Sequence, residues 1–229
     1  MMIIVRLFPK MDLKKIWDYV EGDMVLKAKS NNVTPLYATQ TEGMMNVGII
    51  FDVKDSDNIA DFLTDNLANY DEIHHTKTIS LMKPLFFAIP KDKPKQLQRY
   101  VIRIYTHSKY YKSIYNYLKD YDYPYEIFPI YLAYSLGDED IILNVGAESY
   151  EAVDNFVKDK IKHLNGADTV VFYPVVKAKR FASLETLIEQ QDKYLTKSDM
   201  PEKERDKEFD YVEDFEYYAM LTGAFKRDL

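Results

Sequence analysis

Two arginines stand at matching places in two apolar, strand-like segments. Arg6 lies in Ile4-Val5-Arg6-Leu7-Phe8, and Arg103 lies in Val101-Ile102-Arg103-Ile104-Tyr105. Successive side chains of a strand point to opposite faces, so each arginine points away from its apolar neighbours. A guanidinium can bind a ligand carboxylate through two parallel hydrogen bonds. An internal salt bridge, or a solvated position at the strand end, is the structural alternative.

Metal-ligating residues are few. His74 and His75 are adjacent in a predicted strand, so they point to opposite faces and should not share one metal ion. The acidic run Asp138-Glu139-Asp140 offers oxygen ligands for a hard cation, with a solvated turn as the alternative. The chain has no Cys, which excludes thiolate chemistry and disulfides. We therefore expect no bound metal.

The sequence also lacks the common catalytic motifs. It contains no Walker loop, Rossmann glycine motif, nucleophile elbow or zincin motif. Tyrosine is abundant, with 20 residues in all, nine of them between Tyr110 and Tyr134. These tyrosines are suited to core and interface packing, or to lining a ligand pocket.

Charge and hydropathy narrow the choice of partners. Of the net charge of −7, residues 183–229 carry −6, from 13 acidic and 7 basic side chains. A phosphate backbone is bound by clustered Lys and Arg, and no such stripe is present, so we expect no direct binding of nucleic acid. No signal peptide and no long apolar run is visible, so we expect a cytoplasmic protein that does not enter the membrane.

The chain contains an internal repeat. A constant shift of 94 residues aligns Pro35 with Pro129, Tyr37 with Tyr131 and Gly43 with Gly137, and it continues without a gap to the end of the repeat. At the first strand the shift is 97, which places an insertion in or after the first helix of repeat 1. A period of this length corresponds to a small domain rather than to a solenoid repeat.

Each repeat predicts the element order β-α-β-β-α-β, the ferredoxin-like motif. Such a unit covers one face of its sheet with two helices and leaves the other face bare. We therefore predict an α+β fold of two tandem ferredoxin-like units with apposed antiparallel sheets. The predicted domains are residues 1–90, residues 96–181 and an acidic helical extension, residues 182–229.

The second repeat resembles the effector-binding domain of the Lrp/AsnC transcription regulators over roughly residues 99–177. In that family a Gly-x-x-Asp turn leads into the third strand, as Gly137 and Asp140 do here. A Lys-Ile-x-x-Leu-x-Gly segment leads into the fourth strand, and residues 160–166 match it. The resemblance implies a dimeric α+β barrel that binds small molecules, often amino acids, at a subunit interface near the turn.

By this resemblance, Gly137 and Asp140 are the first candidates for ligand binding, joined by Arg6, Arg103 and Gly43 from the strand and turn analysis. Asn46 replaces the aspartate in repeat 1, so we expect one competent site in each chain. On that basis Asp140→Ala should weaken amino-acid binding, and Asn46→Ala should not.

We favour a non-enzymatic module that binds a small ligand or acts in regulatory assembly, with no cofactor and as a homo-oligomer. Lrp/AsnC regulators normally carry an N-terminal helix-turn-helix, whereas this sequence starts at the first strand. The alternative is an enzyme of the dimeric α+β barrel superfamily, either a chlorite-dismutase-like haem protein or a cofactor-free monooxygenase. The interval between Tyr111 and Tyr134 contains no His, whereas the haem ligand of those haem proteins lies on a longer segment there.

Overall fold

The computed structural model describes residues 1–87, 97–137 and 141–183, with residues 186, 187, 193, 195, 200 and 201. The described chain divides into two compact units. Unit 1 comprises residues 1–80 and 176–187. Unit 2 comprises residues 81–175 with the described residues beyond 187.

Unit 1 follows the β-α-β-β-α-β order with one additional helix. Its elements are β1 (Met2–Pro9), α1 (Leu13–Glu21), α2 (Asp23–Ser30), β2 (Val33–Thr41), β3 (Val47–Val53), α3 (Ser56–Asp61) and the first part of β4 (Ile73–Phe86). The additional helix, α2, lies where the change in repeat shift predicts an insertion.

Unit 2 repeats this order. Its elements are β5 (Gln98–Tyr105), a 3-10 turn (Ser108–Tyr110), α4 (Tyr111–Asp120), β6 (Ile127–Leu136), β7 (Ile141–Ala147), α5 (Tyr150–Phe156) and most of β8 (Thr169–Arg180). The last residues of β8 belong to unit 1, where Phe181 N donates to Leu36 O at 3.0 Å.

Short polar side chains start several of the helices. The carboxylate of Asp12 accepts from Lys14 N at 2.8 Å at the start of α1, and Asp55 does the same for Asp57 N at 3.0 Å at the start of α3. At α5, Ser149 Oγ accepts from Ala152 N at 3.1 Å. Such caps satisfy amide groups that the helix itself leaves without partners.

Both repeats continue their second helix as a π-helix. The segments Phe62–Leu67 and Val157–Ile161 follow α3 and α5 directly. Their wider spacing is visible where Ala68 N donates to Leu63 O at 2.8 Å and Lys162 N donates to Val157 O at 2.9 Å, five residues back in each case. The sequence predicted ordinary helices here, because hydrophobic spacing does not distinguish one wide turn from regular α-helix.

Antiparallel pairing fixes which side chains share a face of each sheet. The strand order is β4-β1-β3-β2-β8 in unit 1 and β8-β5-β7-β6-β4 in unit 2. Ile3, Val5 and Leu7 of β1 belong to a buried core with the helices of unit 1, which confirms that Arg6 points to the opposite face.

The structure confirms the ferredoxin-like order in both units. The facing of the two sheets stays a prediction, and the predicted helical extension at 182–229 lies almost wholly outside the described residues. Within the part of the chain that is described, no helix is long and apolar enough to cross a membrane.

Candidate functional site

The face of the unit 2 sheet that turns away from the helices is polar. Tyr100, Ile102 and Ile104 of β5 pack in the core with α4 and α5. The alternate residues of the same strand, Arg99 and Arg103, therefore lie on the opposite face. We call the following residues on that face the polar face of unit 2: Arg99, Arg103, Tyr131, Ser135, Asn144 and Tyr173.

A row of four residues crosses this face. Asn144 of β7 pairs with Tyr131 of β6 on one side and with Val101 of β5 on the other. Val101 in turn pairs with Tyr173 of β8. Directly paired residues of neighbouring strands project on the same side of a sheet. The row spans about 14 Å, since neighbouring strands lie about 4.8 Å apart.

The two arginines flank this row. Arg99 and Arg103 lie two residues to either side of Val101, the partner of Asn144. Both are buried, with 6% and 4% of their surface exposed. The guanidinium carbon of Arg103 lies 5.4 Å from the centre of the Tyr173 ring. A cation over an aromatic face is stabilised by the ring quadrupole, which holds the Arg103 side chain against β8.

On this face, Asn144 Oδ1 and Ser135 Oγ are buried and have no hydrogen-bond partner among the described residues; their side chains are 9% and 0% exposed. A buried polar group without a partner costs about 1–3 kcal/mol. Most buried polar side chains in native proteins are paired, so these two atoms need a specific explanation.

Tyr131 contributes a neutral phenol. Burial raises the pKa of Tyr131 well above its usual value, because a buried phenolate would lose its hydration. The group therefore keeps its proton over the physiological range and can act as a hydrogen-bond donor. Its ring packs on Phe86, with centroids 4.9 Å apart.

Phe128 and Gly146 lie beside this row, on the side of Arg99. A Cβ atom added to Gly146 would lie 2.6 Å from Phe128 Cζ, so the Phe128 ring lies directly over the glycine. Gly146 pairs with Arg99 on β5 and with Phe128 on β6. Only glycine leaves room for this ring beside Arg99.

Unit 1 retains only part of this arrangement. Arg6 pairs with Gly48, and Tyr37 pairs with Ile50, so the arginine and the tyrosine keep their places. At the position of Asn144, however, unit 1 has Ile50, and at the position of Arg99 it has Met2. The face of unit 1 thus lacks the amide and one of the two arginines.

The turn glycines lie at the end of each hairpin near which the predicted arginines pair. Gly43 and Gly137 follow β2 and β6 and have φ angles of 74° and 137°, which favour glycine. Arg6 and Arg103 pair with Gly48 and Ile142, near the turn end of each hairpin. Asp140 lies outside the described residues, so its ligand role stays a prediction.

Sequence reasoning missed Arg99, Asn144 and Ser135. Two signals in the sequence could have found them. Arg99 lies four residues before Arg103 and so on the same face of its strand, and Asn144 is the one polar side chain in Ile141–Ala147.

The rings of the adjacent histidines lie closer together than strand alternation alone indicates, and the expectation that they share no metal ion stays a prediction. Their Cβ atoms leave the strand on opposite sides, yet the rings turn towards each other, and the two Nδ1 atoms lie 3.4 Å apart. Both side chains are exposed at the start of β4, and the His75 ring stacks on Phe8 of β1.

The polar face of unit 2 offers no histidine as a ligand for haem iron. All four histidines lie among the described residues and are exposed, and none belongs to β5, β6, β7 or β8. A tyrosine ligand would be a phenolate. Burial raises the pKa of Tyr131 and so disfavours that form.

No protein-family model and no curated protein matches the chain. Among solved structures, it is similar to a monooxygenase-like protein from Lactobacillus acidophilus NCFM, with 10% identity, a TM-score of 0.46 and coverage of 76% of this chain and 92% of the other. An anthrone oxidase-like protein gives 8% identity, a TM-score of 0.47 and coverage of 78% and 92%.

A chlorite dismutase variant from Candidatus Nitrospira defluvii gives 10% identity, a TM-score of 0.39 and coverage of 83% and 95%. Similarity at this level concerns the α+β fold and not the activity. The Lrp/AsnC resemblance of the second repeat stays a prediction.

Proposed function

We propose that unit 2 binds a small organic anion that also carries a hydrogen-bond donor, on its polar face. Amino acids and 2-hydroxy acids combine these two groups. The observation that carries the proposal is the buried Oδ1 of Asn144, which has no hydrogen-bond partner within the described part of the chain and lies between the positions of Arg99 and Arg103. Ligand sensing of this kind is what the Lrp/AsnC resemblance implies for the second repeat.

Asn144 supplies the recognition of the donor. An amide oxygen accepts hydrogen bonds only, so its natural partner is a ligand N–H or O–H group. Burial makes such a bond selective, because an analogue without the donor leaves the amide oxygen unpaired at a cost of about 1–3 kcal/mol.

The surrounding residues supply the recognition of charge. Arg99 and Arg103 place positive charge on both sides of Asn144, and guanidinium groups bind carboxylates with directional hydrogen bonds. Tyr131, opposite Asn144, adds a phenol that stays protonated. Because Ile50 and Met2 replace the amide and one arginine in unit 1, we propose one such site in each chain.

An enzyme that acts on a ligand at the same face is the second candidate. The observation that favours it is the buried, neutral phenol of Tyr131 opposite Asn144, which can donate a hydrogen bond to negative charge that develops on a reacting ligand. A cofactor-free oxygenase would consume dissolved oxygen once its ligand is added, whereas a binding module would not. An oxygen electrode therefore separates the two candidates.

The proposal is tested by a thermal-shift series of L-amino acids, 2-hydroxy acids and matched neutral amides, with wild-type protein and the Asn144→Ile variant. A compound present at ~100 times its Kd should raise Tm by about 5 °C or more, because it binds only the folded state. The Asn144→Ile variant should show no shift with the same compound.

The neutral amides are the matched control, since they keep the shape and lose the anion. A shift that is equal for acids and amides, or equal in wild type and Asn144→Ile, would contradict binding at this face.

A further inference from the structure

The adjacent histidines at the start of β4 form a side-chain pair that the polar face of unit 2 does not involve. His74 and His75 are both exposed. Their Nδ1 atoms lie 3.4 Å apart, their ring centroids lie 5.1 Å apart, and the ring planes are nearly perpendicular at 88°. These three quantities define how the two imidazoles approach each other.

The separation matches the bite of a tetrahedral metal ion. Zinc binds imidazole nitrogen at about 2.0–2.1 Å, so two nitrogens at the tetrahedral angle lie about 3.4 Å apart. In each ligand the ring centre lies behind the nitrogen on the line of the metal–nitrogen bond. The centroids of two such rings therefore lie about 5.2 Å apart. Rings that point straight at each other across a 3.4 Å hydrogen bond would have centroids about 5.7 Å apart. The observed 5.1 Å fits the bent, convergent arrangement.

Neighbouring residues hold one of the rings in place. The His75 ring stacks on Phe8 of β1, with centroids 4.2 Å apart and planes inclined by 10°. Stacking on a neighbouring strand reduces the freedom of the ring, so less entropy is lost when it binds an ion.

We propose that His74 and His75 form a two-imidazole site for a divalent transition metal of tetrahedral preference, with Zn²⁺ as the matching ion. Each ring binds through Nδ1 and carries its proton on Nε2. The described residues contain no group of three or more metal-ligating side chains, so water completes the coordination. The site is therefore exposed and exchangeable, unlike a closed structural zinc site.

The test is a calorimetric titration of the full chain with ZnCl₂, using wild type, His74→Ala, His75→Ala and the control His163→Ala. His163 is likewise exposed and belongs to unit 2. Wild type and His163→Ala should bind one ion with equal affinity. Loss of either ligand of the pair should weaken binding by a factor of about 10 to 100, since a single imidazole remains.

Nitrogen NMR of the imidazoles identifies the binding atoms. Addition of Zn²⁺ should shift the Nδ1 resonances of both His74 and His75. Shifts at Nε2 instead, or equal affinity in wild type and the two alanine variants, would show that the pair is only hydrogen-bonded and would overturn the proposal. Because all three histidines are exposed, the variants should fold, which circular dichroism verifies.

Discussion

Asn144 lies directly opposite Tyr131 on the neighbouring strand, and both side chains belong to the buried face of the sheet that turns away from the helices. This places an amide oxygen without a described partner beside a phenol that burial keeps protonated. The matching position in unit 1 pairs Tyr37 with Ile50. The two repeats thus share the tyrosine and differ in the group that faces it.

Replacing Asn144 with the residue of unit 1 should separate stability from binding. In Asn144→Ile the unpartnered oxygen is removed and a β-branched residue is placed in the centre of a strand. We expect the free energy of unfolding to rise by about 1–2 kcal/mol, with complete loss of ligand binding. Urea unfolding measures the first effect and calorimetry the second. A destabilised variant would show that Asn144 has a structural partner.

The two equivalent tyrosines provide a matched pair for binding. Tyr131→Phe removes one donor from the polar face of unit 2 and should weaken ligand binding by about five- to tenfold, the value of one hydrogen bond. Tyr37→Phe makes the same change in unit 1 and should leave the affinity unchanged. Calorimetric titration measures the ligand affinity of both variants, and an equal loss of affinity in the two would place the site elsewhere.

Gly146 should tolerate no side chain. In Gly146→Ala the new Cβ would meet the buried Phe128 ring at 2.6 Å, so we expect a loss of about 1–3 kcal/mol in the free energy of unfolding. Gly48→Ala is the control, because its Cβ would meet the flexible end of Ile4 at 3.3 Å and Thr39 Oγ1 at an ordinary contact distance of 3.7 Å. That variant should stay within about 1 kcal/mol of wild type. Chemical denaturation compares them, and equal stability would contradict the packing described.

Tyr19 should make the protein sensitive to alkali. Burial raises the pKa of Tyr19 to about 12 from the usual 10.0, so the folded state favours the neutral phenol. The stability that the neutral phenol contributes to the folded state is fully present below about pH 10 and is lost as the pH rises towards about 12. Unfolding in urea at about pH 8 and about pH 11 should show a smaller alkaline loss for Tyr19→Phe than for wild type. The same loss in both would argue against the buried phenol.

The order of strands and helices could be predicted from the sequence, because the alternation typical of strands and the spacing typical of helices recur at a constant shift. The three-residue change in that shift indicated an indel in or after the first helix, where the structure has α2, and the direction of Arg6 followed from strand alternation alone. The π-helical segments did not follow, since hydrophobic spacing tolerates one wide turn.

The candidate site was only partly accessible to sequence reasoning. Arg103 could be found from the alternation of side chains along its own strand. Its neighbours depend on the register between strands, which pairs Asn144 with Tyr131 and with Val101, more than 40 residues earlier in the sequence. The register of β6 depends on the bulge between Pro129 and Tyr131, and a shift of one residue would move Tyr131 to the other face, away from Asn144. The rotation of the rings of His74 and His75 towards each other depends on side-chain torsions, which strand alternation does not specify.

The most direct test of binding at the polar face is a calorimetric titration of wild type and Asn144→Ile with L-amino acids and 2-hydroxy acids, both proteins at the same concentration. We predict one ligand per chain for wild type, with affinity that depends on both the carboxylate and the neighbouring donor, and no measurable heat for Asn144→Ile. Unchanged binding in Asn144→Ile, or no binding of any of these acids to wild type, would contradict the account.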